Sequence, residues 1–370
     1  MKMPRSTPLK YLIPLLTVAL AISSALSAES ADLKIGAMLC LSGECAEWGA
    51  NSLRGIELAI AETNQNGGVL GRKLKLVVED SHDDVPSRAV SAFRKLNEDR
   101  GIHYLVGPTW TVGAMPMAPL IAASKEIVVI SPSVGVKEFN ESAPNILNTW
   151  PHDDKATIQL AQYAISQGWR RAAIFGSQDP FVKVQSDAFQ AEFTKLGGLI
   201  TTRVEPLPSS RDLKAEALRV RASTPDVIFF SNYQVDVFAK ELQRINCQVP
   251  RLSILMEKER VKAAQGALEN TIFALYAEPT AAFKDAFRLR YRQEPGITAD
   301  TAYDAVMLFV RALRDVGRDD APMVAARLHT LKDFRGASGI FSVDSKGAVD
   351  KLPVLWAVHG LDYRKLEASR

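Results

Sequence analysis

The chain is poor in metal-binding side chains. Among 370 residues there are three cysteines and five histidines, and His82, His103, His152, His329 and His359 stand apart, none three or four positions from another. A transition-metal centre built on one helix or one short loop is therefore not expected, and no metal or organic cofactor is assigned. Charge of one sign is equally scarce. The 45 Lys plus Arg exceed the 42 Asp plus Glu by three, and the surplus positives Lys2, Arg5 and Lys10 all precede the first acid. Subtracting them from 45 leaves 42 against 42, so a chain without its first 28 residues has no global field to attract a polyanion, and nucleic acid is not an expected partner. Hydrolase signatures are missing too: there is no Gly-x-Ser-x-Gly elbow and no His-Glu-x-x-His pair. Gly67-Gly68-Val69-Leu70-Gly71 follows a helical stretch and not a strand, which argues against a nucleotide loop. Beyond residue 26 no apolar run approaches membrane-spanning length.

What is present begins with a basic segment, Met1 to Lys10, and an apolar run from Tyr11 to Leu26 that holds Pro14 and ends in small residues. The run is short for a membrane span and reads as a secretory signal peptide over residues 1–28, cleaved between 27 and 31. No cysteine stands at the cleavage region, so a lipid anchor is not expected. Export permits cysteine oxidation. Cys40 and Cys45 enclose the turn-forming stretch Leu41-Ser42-Gly43-Glu44, so a bridge closing this small loop and a pair of free thiols are both open readings. Cys247 is then a single buried thiol on a helical segment.

Roughly 340 mature residues exceed what one hydrophobic core usually organises, so two lobes are expected. From Asp32 onward short apolar runs alternate with amphipathic stretches. Strands at Leu33 to Leu39, Leu74 to Val78, His103 to Val106 and Ile127 to Ile130 interleave with helical patterns around Leu53 to Thr63 and Ala89 to Leu96. The alternation restarts after Trp150-Pro151, with strands at Ala172, Ile200, Val227 and Leu252 and helices at Thr157 to Ser166, Val184 to Leu196, Leu213 to Ala222 and Asp236 to Asn246. Two further helices lie at Ala281 to Arg292 and Ala299 to Val316. A hairpin-like tail then runs from Ile340 to Val343, through Asp344-Ser345-Lys346-Gly347, to Val354 to Val358. This is an α/β plan of two Rossmann-like parallel-sheet lobes facing across a crevice. Ligands in such sheets sit at the carboxyl ends of strands. The segments there are Cys40 to Gly49, Gly107 to Gly113, Ser131 to Gly135, Gly176 to Phe181, Ser231-Asn232-Tyr233 and Met256-Glu257. The first lobe offers hydroxyls and helix starts, suited to an anionic group; the second offers rings, a phenol and a carboxylate, suited to an ammonium or an apolar moiety.

Several segments carry a resemblance when taken in order: Lys34-Ile35-Gly36 through Ser42-Gly43 to Trp48-Gly49, Gly55-Ile56-Glu57-Leu58-Ala59, Val106-Gly107-Pro108, Ile130-Ser131-Pro132-Ser133, Tyr303-Asp304-Ala305 and Phe334-Arg335-Gly336-Ala337-Ser338-Gly339. Over nearly all the mature chain the sequence resembles the leucine/isoleucine/valine-binding protein family, the type I periplasmic solute receptors of ABC transporters. The resemblance implies lobes joined by a three-crossing hinge, here 32–150 plus 279–351 and 151–278 plus 352–370, closing on one small solute and docking as a monomer on an inner-membrane permease. By the same resemblance, Thr111, Ser133 and Gly135 match positions that hold a ligand carboxylate, Tyr233 and Glu257 match those that hold its ammonium, and Trp48 and Phe181 match cleft-lining rings. Trp110 is a further cleft candidate that departs from the family pattern, as does Gly135, which stands where a hydroxyl residue is usual. With Trp150 at the first crossing, these tryptophans point to a solute larger or flatter than valine: an amino acid, a small amide or an aromatic carboxylate. The alternatives are an exported two-domain enzyme and a ligand sensor on the same clamshell.

Overall fold

The computed structural model describes Met1 and residues 31–366 apart from Leu255 and Ala277. The expected signal peptide otherwise lies outside the described residues, as do the last four residues of the chain. The first lobe is laid down as β1 (Leu33–Leu39), α1 (Ala46–Gln65), β2 (Leu74–Asp80), α2 (Pro86–Glu98), β3 (Ile102–Val106), α3 (Thr111–Ala123), β4 (Val128–Ser131), α4 (Lys137–Asn140) and β5 (Ile146–Asn148). Its five strands are all parallel in the order β2-β1-β3-β4-β5. The central strands are apolar on both faces, as a sheet covered on both sides requires.

The second lobe comprises α5 (Asp153–Ser166), β6 (Arg171–Phe175), α6 (Pro180–Lys195), β7 (Leu199–Val204), α7 (Lys214–Ala222), β8 (Val227–Phe230), α8 (Val235–Arg244), β9 (Arg251–Ser253), α9 (Lys258–Ala263) and β10 (Ile272–Leu275). The chain then returns to the first lobe with α10 (Ala281–Tyr291), α11 (Ala299–Val316), α12 (Ala321–Leu328), β11 (Phe334–Gly336) and β12 (Gly339–Phe341), and ends in β13 (Val354–His359) and β14 (Asp362–Lys365). The second sheet runs β14-β13-β10-β9-β8-β6-β7, parallel except that β13 is antiparallel to β10 and to β14. The chain therefore passes between the sheets three times, after β5, after β10 and before β13. Ala302, Val306, Phe309 and Leu313 of α11 pack with Ile56 and Ile60 of α1 on one face of the first sheet. Phe93 of α2 and Met117 of α3 cover the other.

Three expectations need correction. The hairpin-like tail is not one hairpin: β12 pairs with β11, while Val354–His359 joins the second sheet. The turn does form, because the Asp344 carboxylate accepts from the Lys346 and Ala348 N–H groups, but only an isolated Val343–Val349 bridge follows it before the chain crosses lobes. Helix α5 begins at Asp153, four residues before the start read from apolar spacing, which brings a carboxylate into the crevice. Cys247 is buried and free but lies just beyond α8, not on a helix.

Candidate functional site

The strand-end segments of the first lobe are tied to one another before they meet the second. Cys40 and Cys45 form a disulfide with Cα atoms 5.7 Å apart, and the enclosed loop is fastened by Asp80, which accepts from the Leu41 N–H at 2.9 Å and the Ser42 hydroxyl at 2.6 Å. Gly49, in the first turn of α1, lies so close to the Cys40 carbonyl that any Cβ would collide with it. The buried Asp83 carboxylate accepts from the Thr109 N–H, the Thr109 hydroxyl and the Trp110 N–H at 2.8, 2.8 and 3.0 Å. Burial pushes that carboxyl up to about 6, against the pull of these hydrogen bonds. Ser131 accepts from the Val134 N–H and donates to the Pro108 carbonyl, and Ser133 donates to the Thr109 carbonyl at 2.7 Å.

Against this frame the second lobe closes a narrow cavity of about 40 Å³. Seven of the residues expected from sequence line it: Trp48, Trp110, Thr111, Ser133, Phe181, Tyr233 and Glu257. Trp48 stands on the first turn of α1 and not on a loop. Phe181 is placed by α6, whose start is capped by Asp179 accepting from the Val182 N–H at 3.1 Å. The Trp110 indole donates to the Tyr233 phenol oxygen at 2.8 Å, a direct bond between lobes, and the rings meet edge to face at 5.2 Å. Burial, with Asp179 second, holds the Tyr233 phenol well above its ordinary value, so it keeps its proton.

Gly135 is not on the cavity wall. The room that its missing side chain leaves is filled by the carboxylate of Asp153, whose N–H donates to the Gly135 carbonyl at 2.9 Å. Asp153 itself lines the cavity, as do Thr109, Trp150, Met256 and Tyr276. Sequence reasoning did not select any of these as ligand contacts. Trp150 packs on Trp48 at 6.1 Å and on Tyr276 at 6.0 Å, and its indole donates to Asp153 Oδ1 at 2.9 Å. Burial pushes the Asp153 carboxyl up to about 8, a shift that Asp154 reinforces and the Trp150 bond opposes. The Glu257 carboxylate is taken up by Arg260, whose Nε lies 2.6 Å away.

A family profile of periplasmic binding proteins matches residues 32–351. The chain belongs to the periplasmic binding protein family. Among curated relatives, the Leu/Ile/Val-binding protein BraC3 of Rhizobium johnstonii is 27% identical over 320 residues, which cover 84% of this chain and 86% of that one. The leucine binding protein LivK of Thermotoga maritima superposes with a TM-score of 0.84 at 21% identity, covering 90% of this chain and 98% of the other. An ABC-transporter solute binding protein from R. palustris, solved in complex with benzoate, superposes with a TM-score of 0.80 at 21% identity, covering 90% and 95%. These likenesses establish the type I fold of two parallel-sheet lobes. As a periplasmic binding protein the molecule is a solute-binding protein and not an enzyme.

Proposed function

We propose that this binding protein is the periplasmic receptor of an ABC importer, acting as a monomer that captures one small solute between its lobes and presents the closed form to an inner-membrane permease. The observation that carries the reading is the aromatic cavity at the carboxyl ends of both sheets, with rings from each lobe and the Trp110–Tyr233 bond across it. The cavity of about 40 Å³ shares Trp150, Met256, Glu257 and Tyr276 with a wider cleft of about 760 Å³, and on this reading the lobes part to admit the solute and close again on it. A solute touching both lobes favours the closed state by its differential affinity.

The wall supports a solute with a planar or bulky apolar body. Trp48, Trp110, Phe181 and Tyr233 supply ring faces, and Thr111 at the start of α3 supplies a hydroxyl beside helix N–H groups suited to a carboxylate. Relatives are named for leucine, isoleucine and valine, and one structural neighbour was solved with benzoate. An amino acid with a large side chain, a small amide or an aromatic carboxylate fits the same range.

Thermal-shift screening of amino acids, small amides and aromatic carboxylates tests the proposal. A true ligand at 100 times its Kd adds about 2.7 kcal/mol of stability. Thr111→Ala and Tyr233→Ala are expected to weaken the solute so found by roughly tenfold each, one hydrogen bond's worth, measured by calorimetry. Turnover of the solute, or unchanged affinity in both variants, overturns the assignment.

A further inference from the structure

A second hollow lies in the first lobe and shares no residue with the aromatic cavity. It holds about 390 Å³ between α10, α11 and β11, a volume in the range of small-molecule sites. Helix α11 lays its floor because it carries two apolar rows. Ala302, Ala305, Val306, Phe309 and Leu313 go to the core of the lobe, whereas Tyr303, Met307 and Val310, spaced by four and three residues, run along the hollow and lead to Arg314. Phe283 and Ala286 of α10 and Phe334 of β11 complete the apolar wall, the Phe283 and Tyr303 rings meeting edge to face at 5.3 Å.

The charges on this wall are unbalanced. Arg311, Arg314 and Arg335 stand against one acid, Glu62, among the described residues, and Glu62 already accepts from the Tyr303 hydroxyl. The Arg311 Nε donates to both Asp315 oxygens at 3.0 and 2.9 Å, and Arg314 reaches the Gly68 carbonyl at 3.1 Å. The Arg335 guanidinium has no hydrogen bond or ion pair among the described residues. Helix α10 opens on the same hollow: its cap Thr280 and its first-turn residues Ala282 and Phe283 are on the wall, so the positive end of the helix dipole adds to the arginines.

We propose that this hollow is a second binding site, outside the cleft, for a small carboxylate with an apolar chain. Arg335 pairs with the carboxylate, and the chain lies on Phe283, Tyr303, Met307, Val310 and Phe334. Charge decides among the occupants. The basic leader of this chain would bring Lys2, Arg5 and Lys10 against three guanidiniums, and an amphiphilic amine meets the same repulsion. A carboxylate instead supplies Arg335 with the counter-ion that the wall lacks. Every wall residue belongs to the first lobe, so occupancy needs no parting of the lobes and is independent of whatever fills the cleft.

Octanoate, octanol and octylamine share one chain and differ in the headgroup. Each is titrated by calorimetry into the mature protein at neutral pH, below the concentration at which it aggregates. Octanoate is expected to bind with one-to-one stoichiometry and more tightly than the other two. Arg335→Ala is expected to weaken it about tenfold, a charge-assisted hydrogen bond's worth. Ala282→Trp, which fills the hollow from an exposed position of α10, is expected to abolish it, while Tyr233→Ala in the cleft leaves it unchanged. Melting curves of Arg335→Ala and Ala282→Trp without octanoate separate a folding defect from a binding defect. The proposal is overturned if octanoate does not bind, or if octanol or octylamine binds as tightly. It is overturned too if Tyr233→Ala abolishes octanoate binding while Arg335→Ala and Ala282→Trp retain it, a result that puts the carboxylate in the cleft and leaves the receptor reading standing. Attachment to phosphatidylglycerol vesicles that Arg335→Ala removes, with no binding of octanoate, gives the face to a membrane surface and overturns the proposal equally.

Discussion

Asp153 and Gly135 are best understood as a pair, since the carboxylate lies where any side chain at 135 would have to go. One consequence is energetic. The folded state holds the Asp153 carboxyl at about 8, far above its unfolded value, so folded protein keeps a proton that unfolded chain has lost. Stability therefore falls as pH rises from about 4 to 8. Asp153→Asn carries no such penalty: its melting temperature is expected to exceed that of the native protein by a margin that grows from pH 5 to pH 8 and levels off above, read by calorimetry in the absence of solute. A margin independent of pH overturns the assignment of the charge penalty to Asp153. The sequence concealed this residue for a physical reason. His152-Asp153-Asp154 looks like a solvated helix start, where acids are favoured by the helix dipole, and nothing local says that the first acid is turned inward. The usable signals were distant from it: a glycine where a hydroxyl residue is usual, and Trp150 three positions ahead. Trp110, Thr111, Phe181 and Tyr233 lie in segments that follow strands, where position predicts the crevice, and the resemblance to the family picked out Thr111, Phe181 and Tyr233 within them.

At the scale of elements, the start of α1 is pinned between the disulfide loop and β1. Gly49→Ala places a methyl group against the Cys40 carbonyl, backbone that cannot rotate aside. The expected cost is about 1 to 3 kcal/mol or more in chemical unfolding, typical of overpacking at a closed site; a neutral result means that the helix start shifts freely. Strands β1 to β4 and β6 to β9 and the long amphipathic helices α1, α2 and α11 were readable from the alternation, whereas β5, β10, β11 and β14 were not read. Helix α3 was not. Its sequence, Thr-Val-Gly-Ala-Met-Pro-Met-Ala-Pro-Leu-Ile-Ala-Ala, is apolar on nearly every face and holds Pro116 and Pro119, so neither a stripe nor a propensity signal marks it as helical. Burial of Ala114, Met117, Ala118 and Ile121 under the sheet overrides that weak local preference. The tail misled for the opposite reason: its turn chemistry is local and correct, but the partner of Val354–His359 is β10 of the other lobe, a choice set by the crossing and not by the turn.

For the molecule as a whole, the proposed function turns on the relation between the lobes. Trp110→Phe removes the hydrogen bond to Tyr233 and keeps the ring, a loss of about 1 kcal/mol that moves the equilibrium between closed and open forms by roughly fivefold. Small-angle scattering without solute is expected to show a larger radius of gyration for the variant, with saturating solute restoring it; identical radii in both conditions overturn the role given to that bond. A buried group lies beside the crossings as well: Asp304 accepts from the Ala337 and Ser338 N–H groups, Lys351 bonds Ser338, and burial raises the Asp304 carboxyl to about 6 while lowering the Lys351 amine. Asp304 thereby fastens the turn between β11 and β12, to which Lys351 near the third crossing is also bonded. The cavity has one more property. Three of the five tryptophans, Trp48, Trp110 and Trp150, stand on its wall, and two of them have their indole N–H groups tied to partners that parting the lobes or filling the cavity would disturb. Most of the indoles that absorb and emit in the near ultraviolet thus sit where the proposed function seats the solute, so on that proposal the unlabelled molecule is its own optical gauge of occupancy.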